Sequence, residues 1–283
     1  MKFHEWLTPT GGETEAAKKH RASLESCLKS NFGMIGFFRS GSFGNGTSIR
    51  SYSDVDYFAA IPNDNLSSDS SKALREISGV LSQRFPSTNV AVRCPAVTVP
   101  FGTDASEKTE IVPAVPAEVL KKNGNEYIIF KIPDCGGSWM KSGPEAHNHY
   151  VASINDKLNR KVKPLIRFLK AWKYSQNVPI SSFYLEMRLA SYASTQSQIV
   201  YSIDLKTILN QLWVDQLAAM QDPIGISGYI KPCNTEAQKK ESLSKLATAS
   251  VRADKAREAE ENGDIANAYY WWNLLFNGEF PAY

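Results

Sequence analysis

The sequence predicts an α+β chain of two lobes, a mixed sheet lobe with helices followed by an all-helical lobe. Three observations carry that expectation. Short β-type apolar runs recur between Met34 and Ile132 and then stop. Helical periodicity takes over from Pro144 onward. Between the first two β-type runs, a glycine-serine turn leads into an apolar stretch carrying two carboxylates one residue apart. With no long linker, the lobes are assigned to residues 1–143, including an N-terminal helix, and 144–283. The active site is expected in the cleft between them, the usual place for a small-molecule site.

Taken in order, Glu13–Asn31 reads as a helix, with Ala16, Ala17, Leu24 and Leu28 among many charges. Met34–Arg39 is a short strand feeding the turn, and Asp54–Ile61 is the second strand. Asn63–Ser71, rich in Asp, Ser and Asn, is a loop that offers N-caps to a helix over Ser68–Phe85. Strands follow near Val90–Cys94, Val97–Phe101, Thr109–Val115 and Tyr127–Ile132. Gly136-Gly137 and Gly143-Pro144 bracket Trp139 in an expected loop. Helices are expected near 144–159, 164–176, 181–195, 203–220, 235–261 and 264–277, without internal repeats.

Composition narrows the class. A 42% hydrophobic share over 283 residues is that of an ordinary globular protein. No apolar run is long enough to cross a membrane, and Met1–Trp6 lacks the apolar core of a secretory signal, so no membrane partner is expected. Cys27, Cys94, Cys135 and Cys233 are scattered without a Cys-x-x-Cys pair. They predict neither a zinc site nor a disulfide framework, and point to a reducing cytoplasm. A net charge of +3 is too small to argue for a stable nucleic-acid partner.

The chemistry concentrates in residues 41–56. Gly41-Ser42, Gly46-Thr47 and then Asp54-Val55-Asp56 form a composite that is specific only when joined in this order. A small turn lets backbone N–H groups and the Ser42 hydroxyl close on a triphosphate. Asp54 and Asp56 stand at i and i+2 of a strand and therefore share a face. Two convergent carboxylates suit Mg2+, whose shell is completed by phosphates and water. The combination predicts metal-dependent nucleotidyl transfer. Further along, Glu110 is the one acid within the β-type run Thr109–Ala114, while the neighbouring acids Asp104 and Glu107 lie among turn residues.

In the second half, Lys163, Arg167 and Lys170 form a basic stripe beside the apolar Leu165, Ile166, Leu169 and Trp172. A charged solvated face is the plain reading; a triphosphate to be neutralised favours function, most of all for Lys170. Ser181-Ser182 opens the next helix, where a serine is a cap or part of an anion site. Phe183 is placed either to stack on a base or to be buried.

The pattern across residues 41–56 resembles the DNA polymerase β-like nucleotidyltransferase superfamily. Trp139, Gly143-Pro144, His147, Asn155, Lys170–Lys173, Ser182-Phe183 and Leu185-Glu186, with the closing Trp272 and Leu275–Pro281, narrow the resemblance to the bacterial CD-NTases, the cGAS/DncV-like enzymes. It implies that Gly41 and Ser42 hold the donor triphosphate. Asp54, Asp56 and Glu110 then bind two Mg2+ ions, with Mn2+ as an alternative. Lys170 and Ser182 contact phosphates, with Lys173 and Arg167 as alternatives to Lys170, and Phe183 stacks on the donor base. The implied product is a cyclic di- or trinucleotide second messenger made from NTPs, with ATP and either UTP or GTP as substrates. It reaches a downstream effector in CBASS anti-phage signalling.

Rival readings are a linear oligonucleotide synthase, another nucleotidyltransferase acting on RNA or a small molecule, and a non-catalytic nucleotide-binding protein. Asn148, Asn155 and Asn159 are candidates for reading a base edge, against the plainer role of caps and helix-face residues.

Overall fold

The computed structural model describes residues 2–9, 15–50, 55–102, 107–122 and 124–281. The chain forms two compact units. One comprises Met1–Pro9, Thr47–Tyr52 and His149–Tyr283, and the other Thr10–Gly46 and Ser53–Asn148.

The first unit takes in helix α1 (Lys2–Leu7) at the N-terminus. The second is built on a seven-stranded mixed sheet among the described residues. Helix α2 (Glu15–Phe32) precedes strand β1 (Gly36–Arg39), a short helix α3 (Gly41–Asn45) and strand β2 (Val55–Ala60). Helix α4 (Ser70–Arg84) begins where the Asp69 carboxylate accepts the Lys72 N–H at 2.9 Å, an N-cap. Strands β3 (Ala91–Arg93), β4 (Ala96–Phe101), β5 (Glu107–Lys122), β6 (Asn125–Pro133) and β7 (Trp139–Ser142) complete the sheet.

The path runs β1-β2-β5-β4-β3, with β6 pairing β5 and β7. Only the β2–β5 pair is parallel among the described strands; the rest are antiparallel. One sheet face is covered by α2 and α4, whose Leu24, Leu28, Leu74, Ile77 and Leu81 pack on Ala59, Val97, Val99 and Ile111. These helical residues recur every three or four positions, the spacing that brings side chains onto one face. The other face carries a smaller cluster of Phe58, Ala60, Val112, Ala114, Phe130 and Ile132.

Helices of the first unit are α6 (Val162–Ser175), α7 (Ser182–Ala193), α8 (Tyr201–Val214), α9 (Glu236–Glu261) and α10 (Ile265–Leu275), following α5 (Pro144–Lys157). Leu165, Leu169 and Trp172 of α6 lie in a large core with Leu185, Leu209, Leu246, Ala253 and Leu275. Phe3 and Leu7 join it, and Phe3 stacks on Phe168 at 5.5 Å between ring centres. The half expected to be all-helical also holds a two-stranded hairpin, β8 (Met220–Gln221) and β9 (Tyr229–Ile230). Its loop is organised by Asp222, whose carboxylate accepts the N–H groups of Ile224, Ile226 and Ser227.

Four expectations are corrected. The glycine-serine turn is the helix α3, closed by Gly46 in the left-handed region at φ 66°. The bracketed loop around Trp139 is strand β7, paired with β6. The strand expected to end at Val115 runs to Lys122, because a register shift at Pro116/Glu118 lets β5 continue past a proline that cannot donate to the ladder. The cysteines are not all free: Cys94 and Cys135 form a disulfide with Cα atoms 5.6 Å apart, tying the β3–β4 turn to the β6–β7 connection. Two thiols, Cys27 and Cys233, should therefore titrate in denatured, unreduced protein, and four after reduction.

His4 on α1 sits against Arg167, with Nε2 2.9 Å from a guanidinium nitrogen. Burial, then the Arg167 charge, lowers its pKa from the ordinary value of 6.5. The unfolded chain therefore takes up this proton more readily than the folded one. The contribution is complete above about pH 6.5 and is lost as pH falls below it. The melting temperature should fall between about pH 7.5 and pH 5.5, less so in a His4→Gln variant, as measured by circular dichroism.

Candidate active site

β2 and β5 bring two of the three expected carboxylates together. Their parallel register sets Asp56 opposite Glu110, and registered residues of neighbouring strands share a face. Asp54 lies outside the described residues. Glu110 is the acid on this face: Glu107, an odd number of residues away, turns to the helix-covered side, where its carboxylate pairs with His20 at 3.0 Å. Asp104 also lies outside the described residues. The structure starts β5 at Glu107, so that acid belongs to the strand and not to a turn.

Gly41 meets Asp56 closely. Its backbone stands at φ +55°, and a β carbon there would lie 2.0 Å from Asp56 Oδ2 and 2.8 Å from its Cγ. The carboxylate thus occupies the space that any other residue at position 41 would fill. The Ser40 N–H donates to the Asp56 carbonyl at 2.9 Å, which fastens the start of α3 to β2. Ser42 follows in the first turn of α3. Glu110 carries a counter-charge, with Lys108 Nζ 3.1 Å from Oε1. The donor set is one of hard carboxylate oxygens beside a backbone without a side chain. That chemistry fits Mg2+, whose remaining positions go to phosphate and water.

The other expected site residues lie on α6 and α7 of the first unit. Lys170 is fully buried, and its ammonium donates to Glu186 Oε1 at 2.8 Å. Lys173 instead reaches Ser182, donating to its hydroxyl at 2.7 Å, with the Tyr174 hydroxyl 3.3 Å away. Ser182 is not the cap of α7. Ser181 takes that role, its hydroxyl accepting the Tyr184 N–H at 3.3 Å. Phe183, next in line, is 38% exposed.

The stripe Lys163, Arg167 and Lys170 is not a solvated face. Arg167 donates to the Ser48 carbonyl at 3.2 Å, and burial lowers its pKa. Burial lowers the Lys163 pKa as well, opposed by Asp156. Sequence reasoning missed the buried acceptor of Lys170 and the part of Thr47, whose hydroxyl donates to the same Glu186 oxygen at 2.7 Å. Glu186 was legible only as part of the Leu185-Glu186 pair that helps carry the family resemblance.

The chain has the mixed α+β fold seen in solved bacterial CD-NTases. It is similar in structure to Escherichia coli MS115-1 CdnC, solved in complex with HORMA-deltaN. The TM-score is 0.73 and the identity 18%, over 99% of this chain and 96% of that one. Against Elizabethkingia meningoseptica CdnE cyclic dinucleotide synthase, solved with GTP and Apcpp, the TM-score is 0.63 at 18% identity, over 87% and 95% of the chains. Vibrio cholerae DncV cyclic AMP-GMP synthase, solved with a linear pppApG intermediate, gives 0.66 at 13% identity, over 99% and 86%. In sequence, a Bacillus cereus (strain VD146) protein named a probable cyclic nucleotide synthase is 25% identical over 255 residues, 85% of this chain and 75% of that protein. No family model matches the chain.

Gly41→Ala is expected to displace the Asp56 carboxylate and to strain the backbone by about 1–2 kcal/mol. Mn2+ titration by electron paramagnetic resonance should show weakened binding while the protein still melts cooperatively.

Proposed function

We propose that the protein is a Mg2+-dependent nucleotidyltransferase that joins NTPs into a cyclic di- or trinucleotide, a second messenger read by an effector in CBASS anti-phage signalling in the bacterial cytoplasm. The observation that carries this reading is the Asp56 carboxylate packed on Gly41 and level with Glu110 on the same sheet face. Relatives of the same fold that were solved with ATP or GTP support NTPs as substrates.

In this reading Asp54, Asp56 and Glu110 would hold the Mg2+ ions, which when bound would lower the pKa of the attacking hydroxyl and neutralise the leaving pyrophosphate. The ribose oxygen forms a bond to the α-phosphorus, the bond to pyrophosphate breaks, and the proton passes to a Glu110 carboxylate oxygen. A second transfer of the same kind closes a dinucleotide ring, and a third a trinucleotide ring, each releasing pyrophosphate. The N–H groups around Gly41 and the Ser42 hydroxyl hold the triphosphate. Phe183 stacks on the donor base, for which its exposure leaves room. Ser182 contacts phosphate together with Lys173, the cation that touches it; the Lys170 ammonium is committed to Glu186.

Purified protein with Mg2+ and labelled NTPs, singly and mixed, should yield a phosphatase-resistant product. Asp54→Asn or Asp56→Asn should lower its rate on the order of 10^2–10^3-fold or more, while NTP binding survives in part. A phosphatase-sensitive product would mean linear synthesis, and wild-type turnover in Asp54→Asn would refute the metal chemistry.

A further inference from the structure

Three side chains of the helical unit share one polar contact point. Lys170 and Thr47 are fully buried and Glu186 is 6% exposed. Glu186 Oε1 accepts from Lys170 Nζ at 2.8 Å and from Thr47 Oγ1 at 2.7 Å. A buried ion pair is a weak source of stability, because desolvation offsets most of the attraction and an apolar pair of similar volume often serves as well. What it supplies is direction. A carboxylate fixed by an ammonium offers Thr47 one acceptor in one place.

Thr47 heads a strap, residues 47–50, that is held at every residue. Arg167 Nε donates to the Ser48 carbonyl, and Ile49 is buried in the helical core. The Arg50 N–H donates to the Leu7 carbonyl at 2.9 Å, and its guanidinium to the Thr8 carbonyl at 3.2 Å. Covalently the strap continues α3 through Gly46, and a few residues beyond Arg50 the chain reaches Asp54 and Asp56.

We infer that Glu186 is a positioning residue for the reaction proposed above. With Lys170 fixing its carboxylate, it holds Thr47 and so sets the strap between the triphosphate-binding helix and the metal-binding acids. Lys170 acts in this way through Glu186, without touching phosphate. The inference rests on the nucleotidyltransferase reading. A carboxylate displaced by about 1 Å can lower turnover on the order of 10^2-fold, so a fixed strap matters to rate more than to binding.

The test uses the full chain. Thr47→Val removes the hydroxyl at nearly constant volume, and Thr47→Ser keeps it. Lys170→Met/Glu186→Leu replaces the ion pair by apolar residues. Thr47→Val should still melt cooperatively, show faster hydrogen–deuterium exchange across residues 46–58, and lose about 10^2-fold in kcat with KM for NTP nearly unchanged. Thr47→Ser should restore both. The double variant should melt at or above either single variant, yet keep the low kcat and the faster exchange. If Thr47→Val exchanges and turns over like wild type, or if the double variant regains full kcat, the cluster is packing alone and the inference fails. Exchange is measured without substrate. A wild type that makes no nucleotide product would thus refute the proposed reaction, and exchange would still decide whether Glu186 fixes the strap.

Discussion

Parallel pairing of β2 with β5 is the constraint on which the rest of the site depends. It sets Asp56 level with Glu110, and the register is locked because the paired stretches Tyr57–Ala60 and Ile111–Ala114 are buried on both faces. Ala59 and Ile111 face the helices, while Phe58, Ala60, Val112 and Ala114 face the other way. A slip of one residue would invert every one of these side chains and carry Glu110 to the side where Glu107 meets His20. The acids stand where β2 and β5 begin, and burial is complete only further along β2. Apolar packing thus fixes the geometry of groups that themselves stay within reach of water and ions.

Two lysine–glutamate pairs in the chain obey different physics. Lys108 and Glu110 are partly exposed, with side-chain exposures of 40% and 26%, so water screens their attraction and either partner can be exchanged for a stronger one. Lys170 and Glu186 are exposed by 0% and 7%, and neither can part without leaving a charge stranded in the core. The first kind of pair suits a carboxylate that takes a metal ion. The second suits one that must not move. Residue type and spacing alone do not separate them; burial does.

What the sequence made legible were features whose cause is local. The Gly41-Ser42 and Asp56 motif was readable because a residue without a side chain is needed where a carboxylate packs on the backbone. Glu110 was readable as the one acid inside a short β-type run, although Glu107, read as a turn residue, proves to stand on the same strand. Helices α2, α4 and α6 announced themselves through their apolar stripes. The Cys94–Cys135 bond joins residues 41 apart with no spacing motif, and β7 hides between glycines that read as loop. The role of Lys170 escaped for the same reason. Its i, i+4, i+7 stripe is visible locally, but Thr47 and Glu186, which decide its fate, lie far along the chain.

The same distinction bears on base choice. Asn155 is buried, and its side-chain oxygen accepts the Lys163 N–H at 3.0 Å, so its amide is spent on starting α6. Asn159 holds φ 54°, a left-handed turn position that asparagine tolerates, and its place is explained by the backbone. Asn148 differs. Its amide nitrogen lies 3.3 Å from where a β carbon at Gly44 would begin, against the glycine-serine helix itself. Of the three amides weighed for reading a base edge, Asn148 is the one that the fold leaves beside the proposed triphosphate-binding element, which makes it the position at which base selectivity can be sought.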